Sequence, residues 1–418
     1  MQIEIVTIGH EILSGRTLDT NFAFLARALE AVSVQVAWHT TVGDTGEQIG
    51  AALRQALSRA DAVVMTGGLG PTPDDLTRKA VATVLGRPLY LDEDVLKSIR
   101  ERGRRLGRKL PASVESQALL PRGASTWTNR LGSAPGVLIE HDGHPVILLP
   151  GVPNEMEGLA SEFVVPYLQE RSGRKVETFT LRTMGVYESM LHEKIGAMPS
   201  KWPGATLAYL PSWFGVDLRV TTSGPDAADV SAVSAKAYEE LKAKVGSVVY
   251  AEGGTSMEQV VGETLLELGW KLASAESCTG GLLAKRLTDV PGSSRYFERG
   301  FVTYSNVSKI EQLGVKAADL EAHGAVSAPI AEQMAEGARK KASAEVGVGI
   351  TGVAGPDGGS EEKPVGTVFI AVASPRGAAV RKFHLNGTRP TVRERGVQTA
   401  LDLVRRQLRG LPLEARLE

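Results

Sequence analysis

DAVVMTGGLGPTPDDLTRKAVATVLG, residues 61–86, decides the fold class of the first part of the chain. It reads as a strand (61–68), a loop of glycine and proline, and a helix (74–86) that stops at Gly86, as helices often do at glycine. The same alternation runs outward over residues 1–170. IEIVTIG (3–9) and VQVAWHTTVG (34–43) read as strands, and TNFAFLARALEAV (20–32) and GEQIGAALRQALSRA (46–60) as helices. GVLIEHDGHPVILLPG (136–151) reads as two strands around an Asp-Gly turn. Strands alternating with helices predict an α/β domain whose sheet is mainly parallel and covered on both faces.

Residues 171–255 differ. TFTLRTMGV, TLAYLPSWFGVDLRVTTSG and VGSVVYAEGG are strand-like, while ESMLHEKIGAM and AADVSAVSAKAYEELKAKV are helix-like. This predicts a small α+β connector with no catalytic cluster. Residues 256–418 return to alternation: helix SMEQVVGETLLELG, strand WKLASAES, a glycine junction with its own helix, and strand RGFVTYSN. Helix PIAEQMAEGARKKASA, strands EVGVGITG, GTVFIAVAS and AVRKFHL, and the closing helix TVRERGVQTALDLVRRQLRG follow. Each outer segment is about the usual size of an independent domain and is expected to fold alone.

A chain of 418 residues is expected to hold two or three domains. A net charge of −1 and no aromatic–basic stripe argue against direct nucleic-acid binding. The basic run RERGRRLGRK (100–109) reads as a solvated helix face. One cysteine forms no internal disulfide and fits a reducing cytoplasm. MQIEIVTIGHEIL has no basic leader, and no apolar run reaches the roughly 20 residues that span a membrane. The expectation is a cytoplasmic enzyme or binding protein.

Two constellations carry chemistry. In GGLGPTPDD, Gly67, Gly68 and Gly70 let backbone N–H groups approach an anion closely, near a helix start. Asp74 and Asp75 are placed to hold a hard cation bridging to a diphosphate; the plainer reading is a turn with an aspartate cap. Glu11, Asp44 and Glu155 lie in other loops after strands, at the sheet edge where ligands bind.

The second constellation is AESCTGG (275–281). Cys278 lacks a histidine in a motif-like setting and reads as a small buried residue. Ser277 is the better nucleophile, since a lysine in a poorly hydrated cleft activates serine. Lys309 follows Tyr304 by five residues in RGFVTYSNVSK, and Thr351 ends a third strand ahead of a Gly- and Pro-rich loop. The backbone N–H groups of that loop are suited to a phosphate or an oxyanion.

These motifs closely resemble the competence/damage-inducible CinA family. IGHEILSGRTLDTN, GGLGPTPDD and LPGVPNEM look like its N-terminal domain, similar to the molybdopterin-binding fold, a three-layer α/β architecture. That resemblance implies hydrolysis of ADP-ribose to AMP and ribose 5-phosphate with a divalent ion (magnesium, manganese or cobalt), potassium being an optional second ion. It also implies the part of Glu11, Asp44 and Glu155 as weaker candidates for the metal or a ribose. The middle segment resembles the family's KH-like connector. AESCTGG, ERGFVTYSN, HGAVS and TGVAGPDGGSEEKPVGTV resemble its C-terminal domain and the stand-alone nicotinamide-mononucleotide (NMN) deamidases. That resemblance implies conversion of NMN and water to nicotinate mononucleotide and ammonia, without a cofactor. Ser277 is then the nucleophile and Lys309 the base, with Tyr304 and Thr351 orienting or stabilising the intermediate. Thr279, Gly280, Gly281 and Gly355 line the substrate, and Arg389 meets its phosphate, with Arg393 as the other choice. The family forms dimers, so a homodimer is expected. Two other readings stand beside this one: a deamidase whose N-terminal domain binds a nucleotide or pterin without catalysis, and a binding protein of competence or DNA repair.

Overall fold

The computed structural model describes residues 1–105, 107, 111–415 and 417. The chain forms two compact units, residues 1–177 with 221–232, and residues 178–220 with 233–418.

The first unit is built on a six-stranded sheet in the order Gln35–Val42, Gln2–Ile8, Ala62–Thr66, His144–Leu149, Gly136–His141, Ser125–Trp127. The first four strands are parallel and the last two antiparallel, so the expected parallel sheet carries an antiparallel edge. Alternate residues of each strand serve opposite faces. Val6, Ile8, Val63 and Met65 join one core with Ile49, Leu53 and Val81 of the helices Gly46–Leu57 and Thr77–Val84. Ile3, Ile5, Val64 and Ile147 join a second core with Leu25 and Leu29 of the helix Thr20–Glu30. Three layers result. Asp142 and Gly143 make the expected turn, with φ of 49° and 86°.

The helix expected over 74–86 spans Thr77–Val84 instead, because Asp74 and Asp75 belong to a turn in which Asp75 N donates to Thr72 O and Leu76 N to Asp74 O. The basic run lies at the end of the helix Glu93–Arg105, with Arg100 paired to Glu115. Its Leu106, Arg108 and Lys109 fall outside the described residues.

In the second unit, a five-stranded sheet runs Phe297–Val302, Leu272–Glu276, Val346–Gly352, Thr367–Ser374, Gly377–His384. The first three strands are parallel and the last two antiparallel. Leu272, Val348 and Ile350 pack on the side of the helices Met257–Leu268 and Arg389–Arg409. Ala273 and Ala275 face the other side, with Met334 and Ala338 of the helix Ala328–Lys341. A connector sheet of Ala205–Ser212, Gly215–Gly224, Lys175–Thr183 and Val249–Glu252 has its own core around Leu218, Val220 and Leu241. Among the described residues no helix is long and apolar enough to cross a membrane.

Candidate active site

In register, Glu276 lies level with Val302 on one neighbouring strand and Ile350 on the other. Ser277 and Thr303 therefore leave their strands level with Thr351, which stays paired to Phe369 on its other side. This is the carboxyl edge at which connections run to opposite sides of the central strand, the usual place for a ligand crevice.

The turn after Glu276 is held tightly. Ser277 N donates to Ile350 O, and Gly280 N to Ser277 O, each at 3.0 Å. Gly280 and Gly281 take φ of 58° and 89°, the left-handed region that favours glycine. The buried Glu276 carboxylate accepts Leu283 N at 3.0 Å and Ala284 N at 2.9 Å, satisfying amides that the start of the helix Leu282–Thr288 leaves open. The sequence reading gave Glu276 no role. Its one signal is an acid ending a strand of small and apolar residues.

Lys309, on the helix Asn306–Leu313, is only 1% exposed. Its Nζ lies 3.1 Å from Ser277 Oγ, 2.8 Å from Thr303 O and 3.3 Å from Tyr304 O. Burial pushes its pKa below the ordinary lysine range, with a smaller opposing effect from Cys278. As an ammonium, Nζ donates to the Ser277 hydroxyl and both carbonyls; once deprotonated it keeps two N–H groups for the carbonyls and has a lone pair free to accept the Ser277 O–H. Cys278 is buried in the core, and that burial pushes its thiol up to about 11. A thiol at neutral pH is a poor nucleophile.

The other expected residues divide. Tyr304 Oη accepts from Arg389 Nη2 at 2.8 Å, and Arg389 Nη1 donates to Gly355 O at 2.8 Å. One turn on, Arg393 Nη2 donates to Thr279 O at 2.8 Å. Both arginines thus stand at the start of the closing helix against the site. Thr351 is not joined to Ser277 by a hydrogen bond; its buried hydroxyl donates to Ala325 O at 2.8 Å, anchoring the HGAVS loop. Thr279 and Thr303 hold buried hydroxyls with no partner among the described residues. The amides of Thr279 and Gly281 likewise have no acceptor there.

The N-terminal constellation is placed differently from expectation. Gly67 N donates to Leu149 O at 3.1 Å, so that amide is spent inside the fold. A Cβ on Gly67 would lie 2.2 Å from Ile8 O, and one on Gly68 would lie 2.3 Å from Thr77 Oγ1. Those glycines serve close packing of the loop on the first strand and the following helix. A Cβ on Gly70 would lie 2.4 Å from Asp75 Oδ2. Asp75 Oδ2 accepts Thr72 N at 2.8 Å and Thr72 Oγ1 at 2.6 Å. Asp44 Oδ2 accepts His10 N at 3.0 Å, and Glu155 Oε2 accepts Asn129 Nδ2 at 2.7 Å. Asp74 and Glu11 are exposed. The five acids expected to hold a metal are each tied to separate local donors or left on the surface. Among the described residues no group of three or more His, Cys, Asp or Glu is placed to hold an ion. These acids do not fit a shared divalent ion or an accompanying potassium ion.

Buried Arg78 donates to Leu69 O and, at 3.1 Å, to Gly70 O, directly beneath the glycine loop. Burial lowers its pKa, opposed by Asp75. A cavity of about 800 Å³ in the same unit is lined by Arg102, Arg105, Trp127, Asn129 and Arg130. The sequence reading overlooked Arg78, Asn129 and Arg130. A basic residue in the first turn of a helix after a glycine loop is the signal that could have shown Arg78.

Three family models cover the chain in order: "Probable molybdopterin binding domain" over residues 4–170, "Damage-inducible protein CinA KH domain" over 178–251, and "CinA C-terminal domain" over 254–408. A CinA-like protein of Gemmatimonas aurantiaca is 44% identical over 411 residues, covering 97% of this chain and 96% of that one. Another, of Chlorobaculum tepidum, is 43% identical, covering 96% and 97%. Among solved structures, CinA of Thermoplasma acidophilum is 40% identical over 38% of this chain and 94% of that one, with a TM-score of 0.36. Three consecutive domain models and relatives similar from end to end fix the relationship: the chain belongs to the CinA family, with a molybdopterin-binding-like domain, a KH connector and a C-terminal CinA domain.

Proposed function

We propose that the C-terminal domain hydrolyses the carboxamide of nicotinamide mononucleotide, giving nicotinate mononucleotide and ammonia. The observation that carries this is the buried Lys309 Nζ, 3.1 Å from Ser277 Oγ and held by two carbonyls. Lys309 takes the Ser277 proton as Oγ bonds to the carboxamide carbon and the C=O electron pair moves to oxygen. The unpaired amides of Thr279 and Gly281 are the nearby donors for that oxyanion. Collapse expels the amine, which leaves as ammonia with the proton Lys309 holds. Water then attacks the ester, giving its proton to Lys309, and Ser277 leaves with that proton restored. Arg389 and Arg393, at the positive end of the closing helix, suit the phosphate.

Product analysis tests the reading. Incubation with NMN should yield ammonia and nicotinate mononucleotide in equal amounts, and Lys309→Ala should abolish both. Release of free nicotinamide instead would show cleavage of the glycosidic bond and reject the proposal.

For the first unit, Arg78 beneath the glycine loop supports a second reading, the binding of a phosphate-bearing nucleotide or pterin. ADP-ribose and its products AMP and ribose 5-phosphate are the ligands to try. Cleavage of ADP-ribose that requires added magnesium, manganese or cobalt would show that this unit gathers its acids differently when loaded.

A further inference from the structure

We infer that Phe214, at the tip of the connector hairpin, is a positioning residue for the Ser277 site. The hairpin turns at Trp213 and Phe214 between the strands Ala205–Ser212 and Gly215–Gly224. It is held there: Phe214 N donates to Ser212 Oγ at 3.1 Å, and a Cβ on Gly215 would lie 2.0 Å from Thr183 O. The Phe214 ring lies against the Arg286 guanidinium, 5.2 Å from carbon to ring centre.

Arg286 belongs to the helix Leu282–Thr288, the one that follows Ser277 and is capped by Glu276. Its Nη2 donates to Glu258 Oε2 at 2.6 Å and to Gln398 Oε1 at 2.7 Å. Gln398 Nε2 donates in turn to Phe214 O at 3.3 Å. Gln398 lies on the helix that carries Arg389 and Arg393. One guanidinium thus ties the helix behind the nucleophile to the first helix of the domain, the closing helix and the connector. The ion pair is enclosed, at 12% and 16% side-chain exposure. Arg286 Nη1 is buried with no hydrogen-bond partner among the described residues. A buried guanidinium short of one acceptor needs another electron-rich surface, and the face of an aromatic ring provides one. Removing the ring leaves that N–H uncompensated and admits water behind the nucleophile's helix.

The kinetic part of the test rests on the amide-hydrolase reading; the structural part does not. In the full chain, hydrogen exchange is followed for residues 277–290 and for the remote helix Ala328–Lys341. Phe214→Ala should speed exchange in 277–290 by about fivefold or more, with helix Ala328–Lys341 unchanged. Phe214→Tyr, which keeps the ring, should restore the wild-type rate, and Trp213→Ala should match wild type. With NMN, kcat should fall in Phe214→Ala while KM holds. Should Phe214→Ala fail to fold, Phe214→Leu takes its place, keeping apolar bulk without the ring face, with the same expectation. Exchange within about twofold of wild type, or an equal rise in both segments, overturns the proposal. So does a rise in KM at constant kcat. If wild type leaves NMN untouched, the deamidase reading fails and the exchange result alone decides the positioning role.

Discussion

In the proposed amidase reaction Lys309 is the base, and its protonation sets a pH dependence. Burial lowers its pKa in the folded chain, so the neutral base is present at lower pH than for a free lysine. The sign follows for both activity and stability. Activity should rise with pH through the depressed value and level off above it. Stability from the buried neutral amine is full above the unfolded lysine pKa and is lost as pH falls through the folded one. The expected profile of kcat/KM for NMN has an acid limb, and Lys309→Met should flatten the matching acid loss in urea-unfolding free energy. An unchanged acid limb of stability in Lys309→Met would show that another group titrates.

At the scale of elements, the strand Leu272–Glu276 and the helix Leu282–Thr288 are joined by one carboxylate. Glu276 accepts two amides at once, which a glutamine cannot do without turning its own NH₂ toward one of them. Glu276→Gln should destabilise the domain by about 1–2 kcal/mol and lower kcat, read from urea unfolding and initial rates. A stability loss with kcat untouched would confine Glu276 to capping. Much at this scale was legible beforehand. Ser277 stands at a strand end that alternation locates, and Lys309 lies on the helix that follows the next strand, five residues after Tyr304. The register that brings Ser277, Thr303 and Thr351 level comes from the parallel pairing of three strands whose order in the sheet differs from their order in the chain, and alternation does not give it. Asp74 and Asp75 misled because a helix start and a turn share the same residue types, and only the hydrogen bonds of Thr72 distinguish them. Arg286 and Phe214 were not legible, since a pairing between residues 72 positions apart in the sequence leaves no periodic trace.

At the scale of the molecule, the connector is braced to the C-terminal domain. Arg405 and Arg406 share the buried carboxylate of Asp402. Arg405 also donates to Val249 O and Ser247 O, both at 3.4 Å. A chain cut before residue 254 loses those acceptors and the Phe214 ring, leaving buried donors unpaired. A fragment of residues 178–418 should therefore exceed one of residues 254–418 by about 2 kcal/mol or more in unfolding free energy. Equal midpoints and slopes would mean that water replaces the connector at no cost, and the two parts would then be independent as their sizes first suggest.

The central claim, a serine amidase with a lysine base and an idle cysteine, meets its most direct test in two single substitutions. Ammonia release from NMN should fall by about three orders of magnitude or more in Ser277→Ala, and stay near wild type in Cys278→Ala. Loss of activity in Cys278→Ala with retention in Ser277→Ala, both folded, would contradict it.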